Sequence, residues 1–90
     1  FCGKGKAAKM LQDSEFDMHS RLPINPSGGL KAHGHPIAAT GLGQIFELVM
    51  QLREEAEKRQ VKLKNGIGLQ HNVGGPAFGV SAVNILSRSM

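Results

Sequence analysis

Two histidines sit in glycine-rich settings, His35 in Gly34-His35-Pro36 and His71 in Gln70-His71-Asn72-Val73-Gly74-Gly75. Imidazole is the side chain whose ordinary titration lies nearest neutral pH, so either ring could take or give a proton in a reaction. Gly28, Gly29 and Gly34 lie close to the first histidine and Gly74 close to the second. A substrate could therefore approach the backbone closely at both places. Pro36 suits the first position of a helix, which puts His35 at or beside the N-cap. There the positive end of the helix dipole disfavours a protonated ring. A neutral ring could accept a proton from a nucleophile or donate a hydrogen bond to a developing oxyanion. From position alone, a histidine capping a helix in an ordinary turn is the commoner case. The same holds for His71, read as a turn residue directly after a strand. If that strand packs against the helix, both imidazoles could face one cleft.

Other chemistries find less support. His19, His33, His35 and His71 invite a zinc reading, but zinc wants three or four ligands at fixed spacing, commonly including cysteine or a carboxylate. The single cysteine, Cys2, lies far from the others, and His33 and His35 flank one glycine. No metal site is expected. Gly41-Leu42-Gly43 and Gly66-Ile67-Gly68 lack the third glycine and the preceding strand of a dinucleotide fingerprint, and no phosphate-binding loop ending in lysine and serine or threonine occurs. Nucleotide hydrolysis is unsupported.

The elements that must position these residues follow from periodicity. Residues 1–20 form an irregular lead-in with one helical turn expected over Ala7–Leu11, and Pro23 ends any helix there. Ile24-Asn25-Pro26-Ser27-Gly28-Gly29-Leu30 reads as a strand end that turns sharply. From Pro36 onward, Ile37, Gly41, Ile45, Leu48, Leu52 and Ala56 recur at helical spacing, with Leu42, Phe46, Val49 and Met50 as a second stripe. That pattern predicts a helix buried on several sides. About 23 residues would carry it roughly 35 Å, its charged end favouring Glu54–Lys58 and Glu55–Arg59 pairs. Strands are expected over Ile67–Gln70 and Phe78–Leu86, with His71–Ala77 reversing the chain into an antiparallel pair.

Composition bounds the rest. Ninety residues suit one small domain or part of a larger one, and 40% hydrophobic content allows a core. The net charge of +4 is a mild bias toward anionic partners. Lys4, Lys6 and Lys9 lack the interleaved aromatics of a base-stacking surface, so nucleic acid is not expected. They read as a solvated face, or as a contact for the phosphates of a nucleotide-bearing cofactor. No apolar run approaches the ~20 residues that cross a bilayer. Cys2 has no internal disulfide partner, and a reducing, cytoplasmic setting is the default expectation.

Several ordered blocks resemble the thiolase superfamily. Asn25-Pro26-Ser27-Gly28-Gly29-Leu30, Gly34-His35-Pro36 and Ala39-Thr40-Gly41 look like the signature around the thiolase catalytic histidine. Gln51-Leu52-Arg53, Lys58-Arg59-Gln60-Val61 and Gln70-His71-Asn72-Val73-Gly74-Gly75 are similar to the sterol-carrier-protein-type branch and its archaeal and bacterial relatives. The resemblance covers residues 21–86, the motif-bearing core, and the opening Phe1-Cys2 more loosely. Gly3–Ser20, with its lysines, departs from the acidic, glycine-rich stretch usual there.

The resemblance implies an α/β fold, the C-terminal part of a layered α/β/α/β/α sandwich, with one long buried helix and a short mixed or antiparallel sheet. It implies that His35 activates a nucleophilic cysteine and helps hold a thioester oxygen. It places His71 where many thiolases carry a second, acid/base cysteine, and makes Asn25, Gly28, Gly29, Gly34, Asn72 and Gly74 candidate substrate contacts. The implied activity is thiolytic cleavage or Claisen condensation of a 3-ketoacyl-CoA, with the coenzyme A thioester as substrate and no separate cofactor. Cys2 matches neither thiolase cysteine, so an N-terminal half or companion chain is expected to supply the nucleophile, in a homo- or hetero-oligomer. The alternatives are a thiolase-fold aldolase and a non-catalytic subunit binding acyl-CoA or a partner.

Overall fold

The computed structural model describes residues 1–75 and 79–89. Three α-helices precede a β-hairpin: α1 (Ala7–Gln12), α2 (Gly29–His33), α3 (Thr40–Leu52), a 3-10 turn over Glu57–Arg59, then β1 (Ile67–Gly74) and β2 (Val80–Ser87). The small α/β architecture with an antiparallel pair is the one expected. The lead-in holds its single short helix, α1, where a Lys9–Asp13 pair at 2.9 Å lies in solvent. Residues 24–30 differ from expectation: in place of a strand end they form a turn that feeds α2.

β1 and β2 pair from Ile67↔Ser87 to Gly74↔Val80. Strand side chains alternate in face. Gly68, Gln70 and Asn72 point toward α3, while Ile67, Leu69, His71 and Val73 line the opposite face and are exposed. β1 therefore runs past its expected end at Gln70, because residues 71–74 find partners along β2. The start of the second expected strand, Phe78, lies outside the described residues. At Gly68 the sheet admits Leu48 so closely that an added Cβ would stand 2.9 Å from Leu48 Cδ2. Gln70, 4% exposed, donates to Gln44 Oε1 at 2.6 Å and accepts from Asn84 Nδ2 at 2.6 Å.

The helix is shorter than expected at both ends. It begins at Thr40, not Pro36, because Ala38 lies at φ 71° in a turn closed by the Ala39 N–H on Pro36 O at 3.0 Å. It stops at Leu52 because Glu54 adopts φ 61°. The Glu55 N–H then bonds Met50 O (2.9 Å) and the Glu54 N–H bonds Gln51 O (3.1 Å). Those two bonds close a Schellman cap, a position where glycine is usual. A polar clasp enforces the stop. The buried Gln51 amide donates to Glu47 Oε1 (3.0 Å) and Arg59 O (2.7 Å), and its oxygen accepts the Val61 N–H (2.9 Å). Gln60 reaches back to Gln51 O, and Arg59 pairs with Glu47 at 3.1 Å. The expected Glu54–Lys58 and Glu55–Arg59 pairs give way to Arg88–Glu54 (3.0 Å), Arg53–Glu55 (3.3 Å) and this Arg59–Glu47 bridge.

Burial is partial. Leu52 and Ala56 are buried and Ile45, Leu48, Val49 and Met50 half-buried, but Leu42 and Phe46 are 71% and 62% exposed. Ile45, Leu48, Leu52 and Ala56 of the first stripe are at least half-covered, whereas Ile37 of that stripe and Leu42 and Phe46 of the second are open. The exposed area is 7213 Å², against about 5,100 Å² for a compact monomer of this mass. The excess of roughly 2,000 Å² exceeds the ~800 Å² that each partner contributes to a standard interface.

Two outcomes follow from the clasp. Gln51→Leu strands the Val61 N–H and the Arg59 carbonyl, and should lower stability by about 2–3 kcal/mol in urea unfolding. Burial pushes the Glu47 carboxyl up, but hydrogen bonds from Arg59 and Gln51 and the charges of Arg59 and His33 outweigh it and hold the group below its ordinary value. A depressed folded value means the unfolded chain takes up the proton first as pH falls. The contribution of Glu47 is thus complete above the ordinary carboxylate range and lost as pH drops through the folded value. Urea titrations from neutral to acid pH should show a shallower acid loss for Glu47→Gln than for the parent protein.

Candidate functional site

A cleft of about 450 Å³ opens between the turn that precedes α3 and the far end of β1. His35, Ala38, Thr40 and Gly41 form one side, and Asn72, Gly74 and Gly75 the other. The close approach at its floor depends on Gly41: a Cβ there would stand 3.0 Å from Asn72 Nδ2. The helix start can meet the end of β1 because Gly41 leaves room for the Asn72 side chain.

His35 is exposed but not loose. Its Nδ1 lies 2.7 Å from Thr40 Oγ1, and that hydroxyl donates to Pro36 O at 3.2 Å. Among the described residues Nε2 has no hydrogen-bond partner, so it is available to a ligand or reacting group in the cleft. His35 does not sit at the helix N-cap as expected. The helix starts five residues later, and the dipole's influence fades within the first turn. What ties His35 to the helix is the hydrogen bond to Thr40.

Of the residues singled out from sequence, His35, Asn72 and Gly74 come together here. His71 does not. With Gln70 turned inward, His71 must face outward, and there its Nε2 lies 2.8 Å from Ser81 Oγ. It is a strand residue paired with Val83, not a turn residue, and the two imidazoles do not share a cleft. Asn25, Gly28 and Gly29 also lie outside the cleft lining. Their local geometry explains their types. Gly28 has φ 90°, and a Cβ on it would stand 2.7 Å from Ala32 Cβ. Asn25, at φ 50°, accepts the Gly28 N–H at 2.9 Å to close the turn into α2. Gly34 ends α2 at φ 76° and hands the chain to His35. These residues shape the path to the site without lining it.

Thr40 was read from sequence only as part of the Ala39-Thr40-Gly41 block, with no role of its own, and Ala38 was not singled out. A helix taken to start at Pro36 puts Thr40 inside it, with no reason to reach back to His35. His33 Nδ1 is 3.1 Å from Gly29 O, one turn back along α2, and His33 does not line the cleft. Among the described residues no three histidine, cysteine or acidic side chains stand close enough to hold a metal ion. Lys4 and Lys6 remain exposed, and no helix is long and apolar enough to cross a membrane.

The chain matches the thiolase C-terminal domain-like family over residues 1–88. It is 49% identical over 88 residues to an acetyl-CoA acetyltransferase of Methanothermobacter thermautotrophicus, covering 98% of this chain and 22% of that protein. It is 45% identical over 91 residues to the acetyl-CoA acetyltransferase of Methanocaldococcus jannaschii, covering 97% of this chain and 23% of that protein. Human sterol carrier protein 2 is 47% identical over 73 residues, covering 81% of this chain and 13% of its own length. The chain thus spans under a quarter of the length of the relatives it matches.

Ala38 supplies a test of the turn. A side chain at φ 71° costs about 1 kcal/mol that glycine avoids. Ala38→Gly should therefore raise the urea midpoint, offset in part by the greater freedom of glycine in the unfolded chain.

Proposed function

Since the chain belongs to the thiolase family, as its C-terminal domain, we propose that it supplies the general base His35 to a site that cleaves or forms the carbon–carbon bond of a 3-ketoacyl-CoA. The observation that carries this reading is the shared cleft, lined by Asn72, Gly74, Gly75 and by His35, whose Nε2 has no hydrogen-bond partner among the described residues. In the thiolytic direction a cysteine thiol gives its proton to Nε2, and the thiolate attacks the 3-keto carbon. The bond between C2 and C3 breaks, and acetyl-CoA leaves as an enolate that takes up a proton. The acyl group remaining on sulfur then passes to the thiol of coenzyme A. The protonated ring, or the Asn72 amide across the cleft, can donate to the oxyanion formed at each addition.

The nucleophile is assigned to a part of the protein outside these residues. Cys2 stands on the lead-in and is not among the residues lining the cleft. The excess exposed area and the greater length of the matched relatives support a larger thiolase assembly around this domain. His71, on the opposite face of the sheet, has no part in this scheme, so the proton for the departing enolate is assigned to a group beyond this chain as well.

In the complete protein carrying these residues, His35→Ala should lower the rate of thiolysis of a short 3-ketoacyl-CoA by about a hundredfold or more. His71→Ala should leave it near the parent value. Full activity in His35→Ala would remove the base from this reading and leave the domain a non-catalytic part of the site. Loss of activity in His71→Ala alone would move the chemistry to the other face of the sheet.

A further inference from the structure

We infer that Thr40 is the positioning residue of His35, fixing Nδ1 as the proton-bearing nitrogen so that Nε2 is left as the base. The inference rests on the reading of His35 given above and adds to it the residue that selects the ring's working form.

A threonine hydroxyl has one proton and two lone pairs. Thr40 Oγ1 lies 3.2 Å from Pro36 O, an acceptor for its proton, and 2.7 Å from His35 Nδ1. With the hydroxyl proton directed to Pro36 O, what Thr40 offers Nδ1 is a lone pair, and the hydrogen in that bond belongs to the ring. In a neutral imidazole one nitrogen carries hydrogen and the other a lone pair, and the partner of the first decides which is which. With Nδ1–H committed to Thr40, the lone pair is on Nε2. After Nε2 has taken a proton, Nδ1 still carries hydrogen, so the same bond serves the ring in both of its states. The hydroxyl need not turn during the cycle.

The geometry holding Thr40 is more rigid than the ring it serves. Thr40 is the first residue of α3 and is half-buried, and its β-branch restricts χ1. Pro36 O, the acceptor that orients its hydroxyl, also takes the N–H groups of Ala39 (3.0 Å) and Thr40 (3.1 Å). His35 itself is exposed. On an open turn an imidazole without such a partner would sample both ring orientations and both neutral forms. One bond to the helix start removes that freedom.

The test uses the complete protein and three variants, Thr40→Val, Thr40→Ser and His35→Ala. It reads thiolysis kinetics with a short 3-ketoacyl-CoA, together with the nitrogen-15 shifts of the His35 ring in its neutral form. Thr40→Val keeps the shape but loses the hydroxyl. It should lower kcat by about tenfold or more, part of the hundredfold available from general base catalysis, with KM nearly unchanged. Its ring should shift toward the Nε2–H form. Thr40→Ser should restore both the rate and the Nδ1–H signature. A parent protein whose neutral His35 carries its hydrogen on Nε2 overturns the inference whether or not the valine variant folds. So does a Thr40→Val with unchanged kcat and unchanged ring shifts beside an inactive His35→Ala, a result that leaves the base itself standing. Full activity in His35→Ala overturns the reading of the base and this inference with it.

Discussion

The amide of Gln70 is hydrogen-bonded at once to α3, through Gln44, and to β2, through Asn84, while almost wholly out of solvent. A buried amide deprived of a partner costs about 1–3 kcal/mol, so helix and sheet can slide past each other only by breaking the bond from Gln70 to Gln44. The neighbouring inward positions repeat the arrangement. Gly68 receives Leu48, Gln70 meets Gln44, and Asn72 meets Gly41. Two strand residues advance about 6.6 Å, and four or three helix residues retreat about 6 or 4.5 Å. Strand and helix thus stay in step in opposite directions. That opposition brings the N-terminus of α3 to the C-terminal end of β1, and the cleft exists because the two ends coincide.

This explains which parts of the fold were legible from the residues. The apolar repeat from Ile45 to Leu52 specifies a helix wherever its ends fall, and the paired apolar runs after Gly66 specify a hairpin. The ends were set by forces that periodicity does not carry. Pro36 is compatible with a first helical position, but Ala38 takes a positive φ, and alanine gives no warning of one. Residues 53–59 are nearly all good helix formers. The chain leaves the helix there because Gln51 and Gln60 accept and donate across the bend, bonds that exist only once the bend has formed.

The site divides along the same line. His35, Asn72 and Gly74 could be singled out because glycine-rich segments beside a histidine need no tertiary information to be noticed. The face taken by His71 depends on strand parity, and parity became readable only when β1 extended past Gln70. Asn72 and His71 are adjacent in sequence and opposite in orientation, so crediting both to one cleft was the error of treating a strand as a turn. The contribution of Thr40 was hidden more deeply, because it depends on where the helix begins.

Exposed apolar residues extend well beyond the cleft. α3 lays one stripe on the sheet and leaves Leu42 and Phe46 open, while the far side of the sheet shows Ile67, Leu69, Val83 and Ile85. A helix apolar on two sides, packed on a sheet whose far face is also apolar, has the pattern of inner layers in a stack. Ile37 and Leu42 line the cleft and are 87% and 71% exposed. On the thiolase reading, whatever covers the open side of α3 therefore also walls the cleft beside His35. Water would leave the space around Nε2 at the moment that surface is buried, and hydrogen bonds made there would strengthen as water leaves. On that reading the apolar stripe and the imidazole beside it are neighbours for a physical reason: covering the first encloses the second.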